Sequence, residues 1–332
     1  MNRMRFGKGS GRFGTCLSLV ALCLAASGAS LAQGYPAKPI RMIVPFTPGG
    51  GSDTMGRAVA KHWSERFGQA VVVENRLGAA GSIGADVVAK AAPDGYTVLL
   101  GSTSELTQYP NVNPKVPYDP VRDFAPVSMV GHIPLVLVVH PSMPVKSVKE
   151  LIALAKARPA QMLFGSAGVG ATTHLAVEHF ILLTDVKLTH VPYKGSVQAT
   201  ADLVAGNVQL AIPTLPSALP FIQARRVKVL AVTTEKRVLV LPDAPTMQEA
   251  GVKGYVNVLW TGVLAPAGAP PAHIKRLQDE TAGALASSDV KKVLAGVGAE
   301  AQAGTPEEFA AFIRSELAKW AKVVKAAGIR PE

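Results

Sequence analysis

One local pattern recurs three times in the sequence and limits the folds open to this chain: an apolar strand runs into a glycine-rich turn, and a helical pattern follows. The three turns contain Gly49-Gly50-Gly51, the segment from Gly78 to Gly84, and the segment from Gly165 to Gly170. Strand and helix patterns also alternate between these turns. Such alternation predicts an α/β fold whose sheets are mostly parallel and covered by helices.

The glycine turns also predict a place where an anion can bind. Glycine lets the backbone turn several N–H groups toward one point, and the helix that follows adds the positive end of its dipole. Ligands of such sheets collect at the carboxyl ends of the strands. Hydroxyl residues at the helix starts can contact the anion or cap the helices, and the sequence leaves both alternatives open. These residues are Thr47, Ser52, Ser82, Ser166, Thr172 and Thr173.

The first 32 residues have the features of a secretory signal peptide. Basic residues precede an apolar run over 13–26, and small residues end at Ala32, where we predict cleavage after export by the general secretory route. Both cysteines, Cys16 and Cys23, lie in this leader. The mature chain, residues 33–332, is therefore predicted to have no disulfide and no thiol nucleophile, and it is long enough for two domains.

Composition and motifs argue against several classes of protein. The formal charge is +11, but the basic residues are scattered and aromatic residues make up 6%, which disfavours nucleic-acid binding. A GxGxxG pattern over 9–14 lies in the leader, so no nucleotide cofactor is predicted. His174, Glu178 and His179 resemble a metal motif, but helical geometry turns His179 away from the other two, so no metal site is predicted.

A serine hydrolase is the alternative from a different functional class. Ser102 or Ser166 could act as a nucleophile with His174 as the base, although the spacing singles out no complete group. Asp53 and Arg57 are four residues apart on the first predicted helix, which indicates a local ion pair, and Asp53 could instead cap that helix. The residues therefore favour a binding protein over an enzyme.

The second half of the chain predicts a second domain. An apolar strand over 135–140 follows an irregular loop over 109–126, and another apolar strand covers 255–264. These two strands are candidates for the connections between two domains. Two amphipathic helices end the chain, and the second opens at Thr305 with an N-cap, a proline and an acidic first turn.

Short motifs over nearly the whole mature chain resemble, in sequence order, the extracytoplasmic receptors of tripartite tricarboxylate transporters, also called Bug proteins. The first motifs are Lys38-Pro39-Ile40-Arg41, Val44-Pro45-Phe46, Pro48-Gly49-Gly50 with Asp53, Val73-Glu74-Asn75-Arg76, Gly81-Ser82-Ile83-Gly84-Ala85 and Pro93-Asp94-Gly95-Tyr96-Thr97. The later ones are His190-Val191-Pro192-Tyr193-Lys194-Gly195, Leu230-Ala231-Val232-Thr233, Leu241-Pro242-Asp243-Ala244-Pro245-Thr246 and Leu264-Ala265-Pro266-Ala267-Gly268. Each motif is weak alone, but their shared order behind a signal peptide is specific.

The resemblance implies a periplasmic solute-binding protein of the α/β class and the type II fold. Each of its two lobes would have a mixed, mostly parallel sheet flanked by helices, with the ligand cleft between the lobes. Lobe I would comprise 33–134 and 255–332, and lobe II would comprise 135–254. Such a receptor is expected to be a soluble monomer that closes over a small carboxylate and delivers it to the membrane subunits of the transporter. Docking on a membrane kinase as a ligand sensor is the other role that the resemblance leaves open.

The resemblance also implies which residues bind the ligand, mainly through the backbone N–H groups and hydroxyls of the glycine turns. The expected residues are Phe46, Thr47, Pro48, Gly49, Gly50, Ser52, Asp53, Gly81, Ser82, Ile83, Gly84, Ser102, Ser166, Ala167, Gly168, Gly170, Thr172, Thr173, His174, Gly195 and Pro213. Pro213 stands where many relatives have an acidic residue, and it offers neither charge nor N–H. A mono- or dicarboxylate or an aromatic acid is therefore expected rather than an acidic amino acid.

Overall fold

The alternating strands form two β-sheets. The computed structural model describes residues 1–5, 7 and 34–329, and Lys38–Glu332 form one compact unit. The strands are β1 (Ile40–Val44), β2 (Val71–Asn75), β3 (Thr97–Ser102), β4 (Phe124–Pro134), β5 (Val136–Val139), β6 (Leu163–Ser166), β7 (Thr189–Pro192), β8 (Leu210–Ala211), β9 (Lys228–Val232), β10 (Val258–Pro266) and β11 (Glu300–Ala301). Their orders are β11-β4-β10-β3-β1-β2 in a six-stranded sheet and β7-β6-β8-β5-β9 in a five-stranded sheet. Nearly all of the predicted leader, residues 1–32, lies outside the described residues.

Helices connect the strands. They are α1 (Gly51–Phe67), α2 (Ser82–Ala89), α3 (Tyr109–Val112), α4 (Val148–Ala157), α5 (Thr172–Thr184), α6 (Ser196–Ala205), α7 (Leu215–Gln223), α8 (Pro271–Ala286), α9 (Ser288–Gly296) and α10 (Pro306–Ala327). A 3-10 turn covers Ala79–Gly81, and a π-helix covers Ser104–Gln108. The predicted cap of the last helix is confirmed, because Thr305 and Glu308 form a capping box. In the described part of the chain, no helix is long and apolar enough to cross a membrane.

Both sheets are mixed, as the resemblance implies. Each has one parallel part, in which β1 pairs with β2 and β3, or β6 pairs with β7 and β8. In the six-stranded sheet, β10 pairs antiparallel with β3 and β4. In the five-stranded sheet, β5 pairs antiparallel with β8 and β9. The sequence analysis predicted mainly parallel strands because alternating strand and helix patterns indicate only parallel β-α-β units.

The chain passes between the sheets twice. The first passage is short, because β4 ends at Pro134 in the six-stranded sheet and β5 begins at Val136 in the five-stranded sheet. The second passage runs from the end of β9 to the start of β10, over residues 233–257. The strands predicted as connections each lie within a single sheet, and the chain crosses just before each of them. The lobe limits 33–134 plus 255–332 and 135–254 remain predictions.

Three elements differ from the sequence prediction. The expected loop over 109–126 contains α3 and the start of β4, and the π-helix comes just before it. The strand β4 was missed because proline, serine and histidine interrupt its apolar pattern, yet pairing with β10 along its whole length holds it in the sheet. The helix α9 was also missed, and Ser287 caps it.

The Thr233 hydroxyl ties the two passages together. This residue is fully buried, and its Oγ1 lies 2.6 Å from the carbonyl oxygen of Asn257 and 3.0 Å from that of Leu135. The Leu135 N–H donates to the same oxygen at 3.1 Å. One side chain therefore satisfies backbone groups of both inter-sheet connections.

Replacing Thr233 with valine should lower the free energy of unfolding by about 2 kcal/mol, since it leaves buried backbone groups without partners. Urea denaturation measures this change. Thr233→Ser keeps the hydroxyl and should retain most of the stability. Thr189→Val is the control, because the Thr189 hydroxyl bonds the Ala160 carbonyl at an exposed position. Equal losses for the valine and serine variants would contradict the role of the hydroxyl.

Candidate ligand-binding site

A cavity lies where the ends of strands from both sheets meet. Its lining residues follow β1, β3, β6, β7 and β8, and one belongs to β10. The enclosed part of this space has a volume of about 20 Å³, and the volume including its open mouth is about 320 Å³. The lining residues are Phe46, Thr47, Gly50, Gly51, Ser52, Ser104, Ala167, Ala171, Thr172, Thr173, Ser196, Thr214 and Leu259. All of these described residues are uncharged.

Four helices begin at this cavity. They are α1, α5, α6 and α7, with 17, 13, 10 and 9 residues, and none of the four has a hydrogen bond from a side-chain cap. The peripheral helices α4, α9 and α10 are capped by Ser147, Ser287 and Thr305. The positive ends of four helix dipoles therefore face one small volume, which favours a negative charge there. The hydroxyls at these four starts do not act as caps.

Several hydroxyl groups can donate into the cavity. Those of Thr47, Ser52 and Ser196 line it and have no hydrogen-bond partner among the described residues. The Thr173 oxygen accepts the Ala167 N–H at 2.8 Å, so its own proton is available for another acceptor. The wall is thus rich in neutral donors.

The Asp53 carboxylate stabilises the first glycine turn. It is 2% exposed, and its carboxylate accepts the Gly49 N–H at 2.9 Å and the Asn75 side-chain N–H at 2.9 Å. The predicted ion pair with Arg57 is confirmed at 2.9 Å. The alternative role of Asp53 as the N-cap is wrong, because Gly50 holds that position.

A second acidic residue is buried close to the site. Glu105 lies in the π-helix and is fully buried, and its Oε2 accepts the Ser102 hydroxyl at 2.7 Å. The Ser102 N–H bonds the other carboxyl oxygen. Burial raises the pKa of Glu105 to about 8, although these bonds act in the opposite direction. Its carboxyl group is therefore largely neutral at pH 7.

The comparisons with known proteins identify the family. Residues 55–329 match the family model of the tripartite tricarboxylate transporter family receptor. The chain belongs to this family. It is 40% identical over 318 residues to the protein BugT of Bordetella pertussis, which covers 95% of this chain and 98% of that protein.

Solved structures of related receptors share the fold. The Rhodopseudomonas palustris protein Rpa4515, solved with adipate, is 40% identical with a TM-score of 0.87, covering 90% of this chain and 100% of that one. MatC from the same organism, solved with bound malate, is 31% identical with a TM-score of 0.83, covering 87% and 100%. The periplasmic binding protein BugD is 33% identical with a TM-score of 0.86, covering 90% and 100%. The two-lobed periplasmic binding protein fold is thereby confirmed.

In this receptor, part of the predicted binding set is gathered around the cavity. The predicted residues that line it are Phe46, Thr47, Gly50, Ser52, Ala167, Thr172 and Thr173. Gly195 lies against them, because a Cβ atom added there would be 2.6 Å from the Thr47 side chain. Gly168 lines an adjoining space together with Ala79 and Ala80.

Other predicted residues do not line this cavity. Ile83 is 51% exposed, and its side chain contacts Gly78 instead. Gly81 lies beside Glu105 and Phe46, and Gly84 packs against Pro45. The remaining predicted residues outside the lining set are Pro48, Gly49, Asp53, Ser82, Ser102, Ser166, Gly170, His174 and Pro213. A direct role of these residues in binding stays a prediction.

The serine and histidine residues of the hydrolase alternative have other partners. Ser102 bonds Glu105, and Ser166 Oγ lies 2.6 Å from His190 Nε2 rather than bonding His174. The His174 ring stacks on His190 at 4.1 Å and accepts the Gly170 N–H. Burial, with His174 next to it, lowers the pKa of His190 to about 3, which makes this imidazole a weak base.

The helix geometry predicted for the possible metal motif is also observed. His174 Nε2 lies 3.4 Å from Glu178 Oε1, whereas His179 turns to Asn257. No cluster of three or more potential metal ligands occurs among the described residues.

The set of expected binding residues did not include six of the lining residues, although Gly51 lies in the first glycine turn. They are Gly51, Ser104, Ala171, Ser196, Thr214 and Leu259. Ser196 and Thr214 carried a usable signal, because each lies at the start of a helix that follows a strand of the second domain. Leu259 lies at the cavity because of the position of β10 in the sheet, and Ser104 because it begins the π-helix. Local sequence patterns predict neither feature.

Proposed function

We propose that this receptor captures a small organic carboxylate in the periplasm and delivers it to the membrane subunits of a tripartite tricarboxylate transporter. The lobes 33–134 plus 255–332 and 135–254 close over the ligand, and the passages joined by Thr233 serve as the hinge. The observation that carries the proposal is the convergence of four uncapped helix starts on one cavity without charged side chains.

The cavity chemistry supports an anion of modest size. Helix dipoles and neutral donors stabilise a carboxylate without the desolvation of a second ion that a salt bridge requires. An ammonium group would find no carboxylate among the described lining residues, which disfavours amino acids. Pro213 is buried and Thr214 beside it lines the cavity, so neither residue brings a charge to the ligand. We therefore keep mono- or dicarboxylates and aromatic acids as the expected ligands.

The relatives support the same class of ligand. Rpa4515 was solved with adipate and MatC with malate, both of which are dicarboxylates, and these receptors share the fold over most of the chain. Delivery to a permease is the role that the family description indicates. The predicted signal peptide supports the periplasmic location.

Thermal unfolding with a panel of carboxylic acids tests this proposal. A ligand at a hundred times its dissociation constant should add about 2.7 kcal/mol to the free energy of unfolding and raise the melting temperature. The panel contains monocarboxylates, dicarboxylates, tricarboxylates, aromatic acids and acidic amino acids. Failure of every acid to shift the transition would contradict carboxylate capture.

A matched pair of variants ties the effect to the cavity. Ser52→Ala removes a partnerless hydroxyl at the start of α1 and should weaken the shift, whereas Ser315→Ala changes an exposed hydroxyl on α10 and should not. Labelling with a serine-reactive phosphonate tests the hydrolase alternative. Stoichiometric labelling of Ser102 or Ser166 would favour that alternative, and ligand-dependent uptake by vesicles with the transporter subunits tests delivery.

A further inference from the structure

One edge of the cavity has its hydrogen-bond directions fixed by a buried network. Ser104 lies on the π-helix beside the six-stranded sheet, and Thr172 begins α5 beside the five-stranded sheet. Their hydroxyl oxygens are 2.9 Å apart, and both residues line the cavity. Gln108, fully buried, accepts the Thr172 hydroxyl proton on its Oε1 at 2.7 Å.

Each hydroxyl has a single proton, and this decides the direction of the network. Thr172 donates its proton to Gln108, so it cannot donate to Ser104 as well. Ser104 must therefore donate to Thr172, and its own oxygen accepts the Thr172 N–H at 2.9 Å. Both hydroxyl protons and one backbone proton are consumed within the network.

What remains toward the cavity are lone pairs. Each of the two oxygens has two acceptor positions, of which one is used, so the pair keeps two acceptors and no donor. We call Ser104 and Thr172 the acceptor edge. A carboxylate oxygen placed there would meet oxygen lone pairs, whereas a ligand hydroxyl could donate to them.

Other hydroxyls of the lining can donate to a ligand. Thr47, Ser52 and Ser196 have hydroxyls without partners among the described residues, and Thr173 has a free proton. A carboxylate is therefore stabilised away from the acceptor edge. The lining thus combines hydroxyls that can donate with a pair of hydroxyls that can only accept.

We propose that the acceptor edge selects hydroxycarboxylates, and that Gln108 sets this selectivity as a positioning residue. The inference rests on the proposed function and refines it by naming the ligand class. The carboxylate lies among the donors, and a hydroxyl on the ligand donates to Ser104 or Thr172. A ligand without that hydroxyl leaves the acceptor edge unsatisfied in a closed site, which lowers its affinity.

Gln108 lies outside the set of lining residues and acts through Thr172. Its amide nitrogen is buried and has no partner among the described residues, so the bond to Thr172 is the side-chain interaction that a substitution removes. Gln108→Met keeps the length of the side chain and eliminates the acceptor. The Thr172 proton is then free to point into the cavity, and the edge gains a donor.

Isothermal titration of pairs of acids that differ by one hydroxyl tests the proposal. The pairs are lactate and propionate, malate and succinate in both malate enantiomers, and citrate and tricarballylate. Within the pair that the wild-type receptor binds, we expect the hydroxy acid to bind at least about tenfold more tightly. Equal or tighter binding of the acid without the hydroxyl would overturn the inference and leave carboxylate capture intact. If only acids without a hydroxyl bind across the wider panel, the inference fails and carboxylate capture stands, and if no acid binds, both proposals fail.

Two variants separate selectivity from general damage. Gln108→Met should reduce the preference for the hydroxy acid to less than about threefold, whereas a merely structural role would weaken both acids of a pair equally. Gln248→Met makes the same substitution at an exposed position away from the cavity and should keep the preference. Melting temperatures of the ligand-free variants verify that each has folded. An unchanged preference in Gln108→Met would overturn the role of Gln108.

Discussion

Replacing Gly195 with alanine is expected to raise the dissociation constant of the bound carboxylate by about tenfold to a hundredfold. The added Cβ would lie 2.6 Å from both Cγ2 and Oγ1 of Thr47, which follows β1 on the opposite side of the cavity. Gly195 has φ 177° and ψ 162°, an extended conformation that alanine adopts without strain. The clash alone must push the two sides apart, at a cost of about 1–3 kcal/mol.

Titration with the acid that gives the largest thermal shift measures this effect. Gly296→Ala is the control, because no atom lies within 4 Å of a Cβ added there and the backbone is unstrained. A double-variant cycle identifies the cause. Thr47→Ala removes both clashing atoms, so adding Gly195→Ala to it should cost little further affinity. Wild-type affinity in Gly195→Ala would contradict the close approach.

The stability of the receptor should fall as the pH rises from about 4.5 to about 8, and Glu105→Gln should remove this part of the pH dependence. Burial raises the pKa of Glu105 from 4.5 to about 8 in the folded state. Between these values the folded state holds a proton that the unfolded state has released. The free energy of unfolding therefore decreases by up to about 1.4 kcal/mol per pH unit, and the loss is complete above the folded-state pKa.

Urea denaturation at a series of pH values checks this prediction. Glutamine retains an acceptor for the Ser102 N–H and a donor for the Ser102 oxygen, so the Glu105→Gln variant should gain stability over the wild type as the pH rises. Glu235→Gln, at an exposed position, serves as the control and should follow the wild-type profile. Parallel profiles for Glu105→Gln and the wild type would show that Glu105 ionises normally.

The sequence predicted the parts of the site that depend on local patterning. A strand, a glycine turn and a helix start are encoded within a few residues, so the placement of Thr47, Ser52 and Thr172 at the cavity could be inferred. The ion pair of Asp53 and Arg57 is likewise one helical turn long. These features need no knowledge of the rest of the chain.

Features that join distant segments could not be predicted in the same way. Ser104 and Thr172 are 68 residues apart, and their bond exists only because the two sheets bring the π-helix and α5 together. Glu105 lies in a polar stretch of the sequence that gives no sign of burial, and it is buried because it packs under the second glycine turn. Ile83 was expected to bind the ligand because it lies in that turn, but its side chain is largely exposed to solvent.

The position of β10 has a consequence for the order in which the chain acquires structure. This strand, Val258–Pro266, lies between β3 and β4, so the larger sheet stays divided until a late part of the chain has been synthesised. All strands of the smaller sheet lie between Val136 and Val232, so that sheet can assemble first, from the middle of the chain. A nascent or truncated chain ending before Val258 would leave β3 and β4 as open edges. Such edges pair readily with other chains and promote aggregation.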